Sequence, residues 1–179
     1  MGPPLLVVSG LPASGKTFLG SRLAAELQLP YVTKDEYKEL LHQRLPQLSH
    51  ADAGPLSFSV MYHVAEVVLR AGVGGVLETH FYLGVSEPKI LELAQVHRAR
   101  VLQVYCHAPL DLLRQRHAER VAAGEHPHIH RPELWERLSP QACTRPLDLD
   151  APLLSVDTSA GVDLPAVLAW VTARLDGPA

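Results

Sequence analysis

The chain has 179 residues, 47% of them apolar and 20% charged, which excludes a disordered or collagen-like polymer and fits one globular domain with a substantial core. A formal charge of −3 excludes a general electrostatic attraction to long nucleic acid or acidic membrane, leaving only local basic patches. Cys106 and Cys143 form no disulfide framework, no apolar run is long enough to span a bilayer, and no basic-then-apolar leader opens the sequence, so a reducing, cytoplasmic setting is expected.

In chain order, "PLLVVSG" is a short β-branched run closed by Gly10 and predicts a buried strand. "KTFLGSRLAAEL" follows, with Leu19, Leu23 and Leu27 at helical spacing and Pro30 beyond the end. Between them lies "GLPASGKT", two glycines separated by four residues and followed by Lys16 and Thr17. A strand, this loop and a helix together make a phosphate cradle. Gly10 and Gly15 permit backbone shapes and close approaches that a side chain would block. Backbone N–H groups then face phosphate oxygens at the positive end of the helix. Gly10, Pro12, Ala13, Ser14, Gly15, Lys16 and Thr17 are therefore expected to hold a nucleoside triphosphate. Lys16 supplies charge to the β and γ phosphates, and Thr17 a hydroxyl to Mg²⁺.

"YVTKD" predicts a second strand and "DEYKELLHQRL" a helix with Asp35 at its start. A carboxylate at that place can accept a proton from a substrate hydroxyl as it attacks the γ-phosphate; it would serve equally as a helix N-cap. Lys38, one turn on, is either a grip for an anionic or hydroxylated substrate or a solvated lysine. "QLSHADAGP" reads as a loop, and "LSFSVMYHVAEVVLRAG" as a long helix ending at Gly72. "GGVLETHF" predicts the third strand. Glu78 at its end is placed to hold a magnesium-bound water, with His80 and Tyr82 lining a substrate pocket beyond it. "SEPKILELAQVH" predicts a helix capped by Ser86.

"ARVLQVYCHA" predicts the fourth strand, and "PLDLLRQRHAERVAAG" a helix opening with Pro109 and closing at Gly124. Its Arg114, Arg116 and Arg120 precede "EHPHIHRPELWERL", which reads as a mobile insertion with a short second helix. The region of about 114–139 is expected to be a lid, with Arg114 near the nucleotide and Arg116 and Arg120 closing over the transferring group. His126, His128 and His130 alternate and would share one side of an extended segment. With no cysteine or second cluster near them in sequence, they are read as lid residues meeting substrate or solvent, not as zinc ligands. "PLLSVDTSAG" predicts a fifth strand and turn, and "DLPAVLAWVTARL" a terminal helix. Alternation of strands and helices throughout predicts an α/β fold: a parallel sheet covered on both faces.

Taken together, "GLPASGKT", "TKDEYKE", "VLETHF", "APLDLLRQRHAER" and "LLSVDTSAG" resemble the small P-loop kinases related to phage polynucleotide kinase, chloramphenicol phosphotransferase and the zeta-toxin kinases, a group of AAA-type ATP-binding proteins. The resemblance spans nearly the whole chain. It implies a three-layer P-loop fold on a five-stranded parallel sheet with a helical lid, Mg²⁺-ATP, and transfer to a hydroxyl. It implies Asp35 as general base, because the group's base follows the second strand. It also implies that Asp157 and Thr158 border the adenine. In polynucleotide kinase an arginine stands where this chain has Lys38, and lysine lacks the bidentate fork. The expectation is thus an ATP-dependent kinase with a small-molecule hydroxyl acceptor of antibiotic, nucleoside or sugar type. The alternatives are a 5′-hydroxyl polynucleotide kinase working on a short end and, in another class, a nucleotide-dependent switch ATPase without an acceptor. Oligomeric state is not legible in the residues.

Overall fold

A computed structural model describes residues 2–176. Five strands carry the fold: β1 (Pro4–Ser9), β2 (Tyr31–Thr33), β3 (Gly75–Glu78), β4 (Arg100–His107) and β5 (Leu153–Asp157). They pair in the order β2-β3-β1-β4-β5, all parallel, so β1 is central. Six helices connect or follow them: α1 (Lys16–Leu27), α2 (Lys34–Arg44), α3 (His50–Arg70), α4 (Ser86–His97), α5 (Leu110–Ala122) and α6 (Leu164–Asp176).

β1 shows why the sheet is buried on both sides. Side chains alternate across a strand, so Leu5 and Val7 enter one core with Met61, Ala65 and Leu69 of α3 and Ile90 and Leu93 of α4. Leu6 and Val8 enter the other core with Leu19 and Leu23 of α1 and Val167 and Val171 of α6. Helices on both faces of a parallel sheet make the three layers expected from the sequence. Because every strand runs the same way, the C-terminal ends of β1, β2, β3 and β5 deliver Gly10, Lys34, Thr79 and Thr158 to one edge. That edge is where open α/β sheets bind ligands.

Several local expectations change. β2 ends at Thr33, so Lys34 and Asp35 of "YVTKD" belong to α2, and β3 ends at Glu78, short of Phe81. α3 begins at His50, so the segment 50–55 read as loop is helical and contains Gly54 and Pro55. Ser49 explains the start: its Oγ accepts from the Asp52 backbone N–H at 3.1 Å. Pro55 lies close enough to that start to cost one helical hydrogen bond without ending the helix. Ser86 is the first residue of α4, whose N-cap is Val85 without a side-chain bond. The Ser86 hydroxyl accepts instead from the Tyr82 N–H at 3.0 Å and so ties the loop after β3 to α4. The short helix after α5 is a single 3-10 turn, Pro132–Leu134.

Candidate active site

The loop between β1 and α1 is shaped for a polyanion. Gly10 has φ 148° and Gly15 φ 85°, and Ala13 is also left-handed at φ 61°. A Cβ on Gly10 would lie 2.3 Å from the Cys106 carbonyl oxygen and 2.5 Å from Ser14 Oγ, so no side chain fits there. Lys16 folds back into this loop. It is buried, and its Nζ donates to the Leu11 carbonyl at 3.4 Å and lies 3.9 Å from Glu78 Oε1.

Glu78, 1% exposed, is held at the end of β3 by three hydroxyls. Tyr31 Oη, Thr33 Oγ1 and Thr17 Oγ1 donate to its Oε2 at 2.8, 3.1 and 3.4 Å. Its Oε1 has no hydrogen-bond donor among the described residues, and neither has Ser14 Oγ. Burial pushes the Glu78 carboxyl above its usual range, with Lys16 pulling against it. An orphaned carboxylate oxygen beside a threonine hydroxyl and a lysine is a donor set suited to a magnesium ion and its water shell. Thr17 and Glu78 therefore fit the ion that the sequence reading assigns them.

Asp35 is the second residue of α2, and the N-cap is Thr33, which makes no side-chain cap bond. The capping alternative for Asp35 thus gives way. Its carboxylate accepts instead from Lys34 Nζ at 2.6 Å. Burial alone would raise the Asp35 carboxyl, but Lys34 and Lys16 outweigh it and hold the group well below the usual carboxylate range. Lys34 is itself buried, with its ammonium 5.8 Å from the centre of the Phe58 ring. Lys34 was not among the residues expected at the site. Its signal was its place directly after β2, beside Asp35, at the binding edge.

Lys38 follows one turn along α2. Burial, aided by Lys34 and Arg131, lowers its ammonium to about 8. His80 Nε2 lies 3.3 Å from Tyr82 Oη, and the Phe58 ring contacts both aromatics. Burial and Lys34 push His80 down to about 3, so its ring is neutral at neutral pH. These groups surround one cavity of about 900 Å³. Pro12, Ala13, Lys16 and Thr17 line it together with Lys34, Asp35, Lys38, His80 and Tyr82. Arg120, Ile129, His130 and Leu134 border it from α5 and the segment beyond.

The three arginines of α5 separate. Arg120 borders the cavity. Arg116 donates to the Thr158 carbonyl at 2.7 Å, and Thr158 Oγ1 donates to the Ser14 carbonyl at 2.9 Å, so Arg116 braces the loop after β5 against the phosphate loop. Arg114 is outside the cavity, 4.0 Å from Asp111 and 6.0 Å from the centre of the Trp135 ring. Asp157 is exposed and accepts from the Ser159 N–H at 2.8 Å, shaping the same loop. The three histidines of the segment after α5 do not share one side. The His130 N–H bonds to the His126 carbonyl at 2.9 Å, a turn in place of an extended run. His130 borders the cavity, while His128 stacks on His42 of α2.

A glycine loop between the first strand and helix, a buried lysine within it and an acid at the end of the neighbouring strand define a P-loop protein of the three-layer kinase fold. The family model described as an AAA domain matches residues 5–138, and the chain belongs to that family, within the small P-loop kinase group. A solved structure from Chloroflexus aurantiacus J-10-fl, described as a "putative kinase", is 31% identical and superposes with a TM-score of 0.83 over 97% of this chain and 96% of its own. Kti12 from Chaetomium thermophilum in complex with ADP-AlF3 is 18% identical, with a TM-score of 0.74 over 97% of this chain and 100% of its own. The Mycobacterium tuberculosis APS kinase CysC in complex with AMPPNP and APS is 18% identical, with a TM-score of 0.63 over 99% and 100%. The last two show likeness of fold. A comparison with curated protein sequences found no match. Among the described residues no helix is long and apolar enough to cross a membrane.

Proposed function

We propose that this protein is a single-domain, ATP-dependent phosphotransferase that moves the γ-phosphate of Mg²⁺-ATP to a hydroxyl of a small molecule. The observation that carries the reading is the continuity of the cavity. Lys16 and Thr17 of the phosphate loop open onto the same space as Asp35 and Lys38. The likeness to solved kinases supports the same class.

In this reading, the loop backbone and Lys16 hold the triphosphate, with Arg116 and Thr158 stiffening the nucleotide side. Thr17 and Glu78 hold Mg²⁺ and its water, and the ion supplies charge neutralisation to the phosphates. Asp35 orients the acceptor hydroxyl and takes its proton as the new phosphorus–oxygen bond forms. A carboxylate this acidic is a weak base. A loose phosphoryl-transfer transition state asks little more of it, because most of the proton moves late. Lys34 keeps it ionised. Neutral His80 and Tyr82 offer hydrogen bonds to the acceptor. Residues 114–139 act as the lid, bringing Arg120 over the transferring group and excluding the water that would otherwise compete as acceptor.

The direct test is an acceptor screen read by ADP release, with mass detection of the phosphorylated product. The reading expects release that depends on one class of hydroxyl compound and exceeds the acceptor-free rate. An oligonucleotide with a free 5′-hydroxyl as the sole productive acceptor would favour a polynucleotide kinase. Hydrolysis indifferent to every acceptor would favour a switch ATPase.

The lowered Lys38 ammonium sets a further expectation. Lys38 loses its charge as pH rises through about 8, so KM for an acceptor that it grips through an anionic group should climb above that pH. KM for ATP should not. Lys38→Arg, whose guanidinium stays charged, should abolish the rise. A KM for acceptor that is flat through this range would remove Lys38 from acceptor binding.

A further inference from the structure

Outside the phosphate-transfer groups, the described residues contain one set of side chains whose donor atoms converge without a hydrogen-bonded purpose. His42 comes from α2, His50 from the first turn of α3, and His128 from the segment after α5. One nitrogen of each lies within 4.8 Å of the others. The His42 ring is 4.4 Å from that of His50 and 4.6 Å from that of His128, centre to centre. We propose that His42, His50 and His128 form a binding site for zinc, and that the bound ion ties the lid to the acceptor side of the cavity.

Two observations carry the assignment. The first is convergence from three separate places in the chain. The second is His42: it is 6% exposed, and its Nε2 has no hydrogen-bond partner among the described residues. A buried, unpartnered imidazole nitrogen is costly unless something accepts its lone pair or its proton. Three imidazoles match a zinc site that leaves a fourth position for water. Zinc–nitrogen bonds near 2.1 Å set tetrahedral neighbours roughly 3.4 Å apart, so the present spread closes by modest turns of His50, which is exposed, and His128, which is half-buried.

The surroundings select the kind of ion. Lys38 lies one turn before His42, Arg131, paired with Glu133, is close by, and Glu39 is the one carboxylate that acts on His42. No carboxylate joins the three nitrogens. A hard, oxygen-seeking cation such as Mg²⁺ gains little there, whereas zinc binds imidazole strongly enough to tolerate cationic neighbours. The Thr17 and Glu78 oxygens offer the opposite donor set, so the two sites would sort the two metals. Because one ligand belongs to the lid and two do not, an ion that binds all three favours the joined arrangement by mass action. His50 also borders the cavity, which links the site to the acceptor end.

The experiment uses the full chain without a histidine tag and cobalt(II) as a visible probe for the zinc position. Expected are saturable binding of one cobalt per chain, tetrahedral d–d absorption, and displacement by zinc. His50→Gln and His128→Gln should each weaken binding by more than about tenfold, while His126→Gln leaves it unchanged. Both test positions are accessible enough to vary without emptying the core, and circular dichroism checks the fold of each variant. Zinc should also slow trypsin cleavage after the exposed Arg137, which precedes Leu138 in the same segment, in the wild type and not in His128→Gln. Absence of saturable binding, or binding that survives both test substitutions, would overturn the site. Cleavage that zinc does not slow would overturn the tie to the lid.

Discussion

Asp35→Asn is expected to lower kcat by about 10²–10⁴ while leaving the affinity for an unhydrolysable ATP analogue unchanged. Asparagine keeps the shape of the side chain and can still orient a hydroxyl, but it cannot accept the proton. Asp35 touches no part of the phosphate loop through a hydrogen bond; its partner is Lys34. The substitution leaves the buried Lys34 ammonium without its counter-ion. Part of any loss could therefore arise from a shifted lysine, and Lys34→Met in the same background separates the two. If the double variant regains neither rate nor acceptor affinity, the missing base accounts for the defect. Single-turnover transfer measured beside calorimetric titration of the analogue reads both quantities. Wild-type turnover in Asp35→Asn would remove Asp35 as the base. The pH profile provides a separate check. The Asp35 carboxyl lies well below its usual range, so it remains ionised down to acid pH and contributes no acid limb near neutrality. Of the two carboxyls, Glu78 is the one that burial moves upward.

Lys16→Met should be nearly as damaging and in a different way. Methionine fills much of the lysine volume but removes the charge facing the phosphates. Loss of a charged group of this kind costs about 10²–10³ in rate, and here nucleotide affinity should fall as well. Stability carries a second signature. Lys16 lies beside a carboxylate that is completely buried, and removing one member of such a pair leaves the other charge uncompensated. Glu78 can escape by taking a proton. Its folded pKa is already raised, and without Lys16 it rises further. A group with a raised folded pKa contributes stability below its unfolded pKa and loses it as pH rises through the folded value. The melting temperature of Lys16→Met relative to wild type should therefore fall more at about pH 8 than at about pH 5. An identical difference at both values would show that Lys16 does not compensate Glu78.

Much of this architecture is local, and local chemistry is legible in order along the chain. The bounds of α1 and α4 coincide with "KTFLGSRLAAEL" and "SEPKILELAQVH", because the signals that start and stop a helix lie within or beside its own segment. The five strands lie where their apolar runs predict them, but β2 stops at Thr33 and β3 at Glu78, short of the ends of "YVTKD" and "GGVLETHF". The phosphate loop is the strongest case. Gly10, Gly15, Lys16 and Thr17 act through a backbone shape that the run from Gly10 to Thr17 builds locally. α3 shows the limit of such reading: Gly54 and Pro55 looked like a break, yet Ser49 starts the helix early enough for Pro55 to be tolerated.

Folding alone decided which side chains meet. Arg116 and Arg120 stand one helical turn apart, but the first is drawn to the loop after β5 and the second borders the cavity. Lys34 becomes the partner of Asp35 because β2 ends buried and leaves its ammonium nowhere to be solvated. The histidine cluster is the clearest instance. The sequence pairs His128 with His126 and His130, yet the histidines it meets come from two helices far earlier in the chain. Periodicity and turn chemistry are carried by neighbours in sequence, whereas a site made of distant residues exists only once the packed layers have set the distances between them.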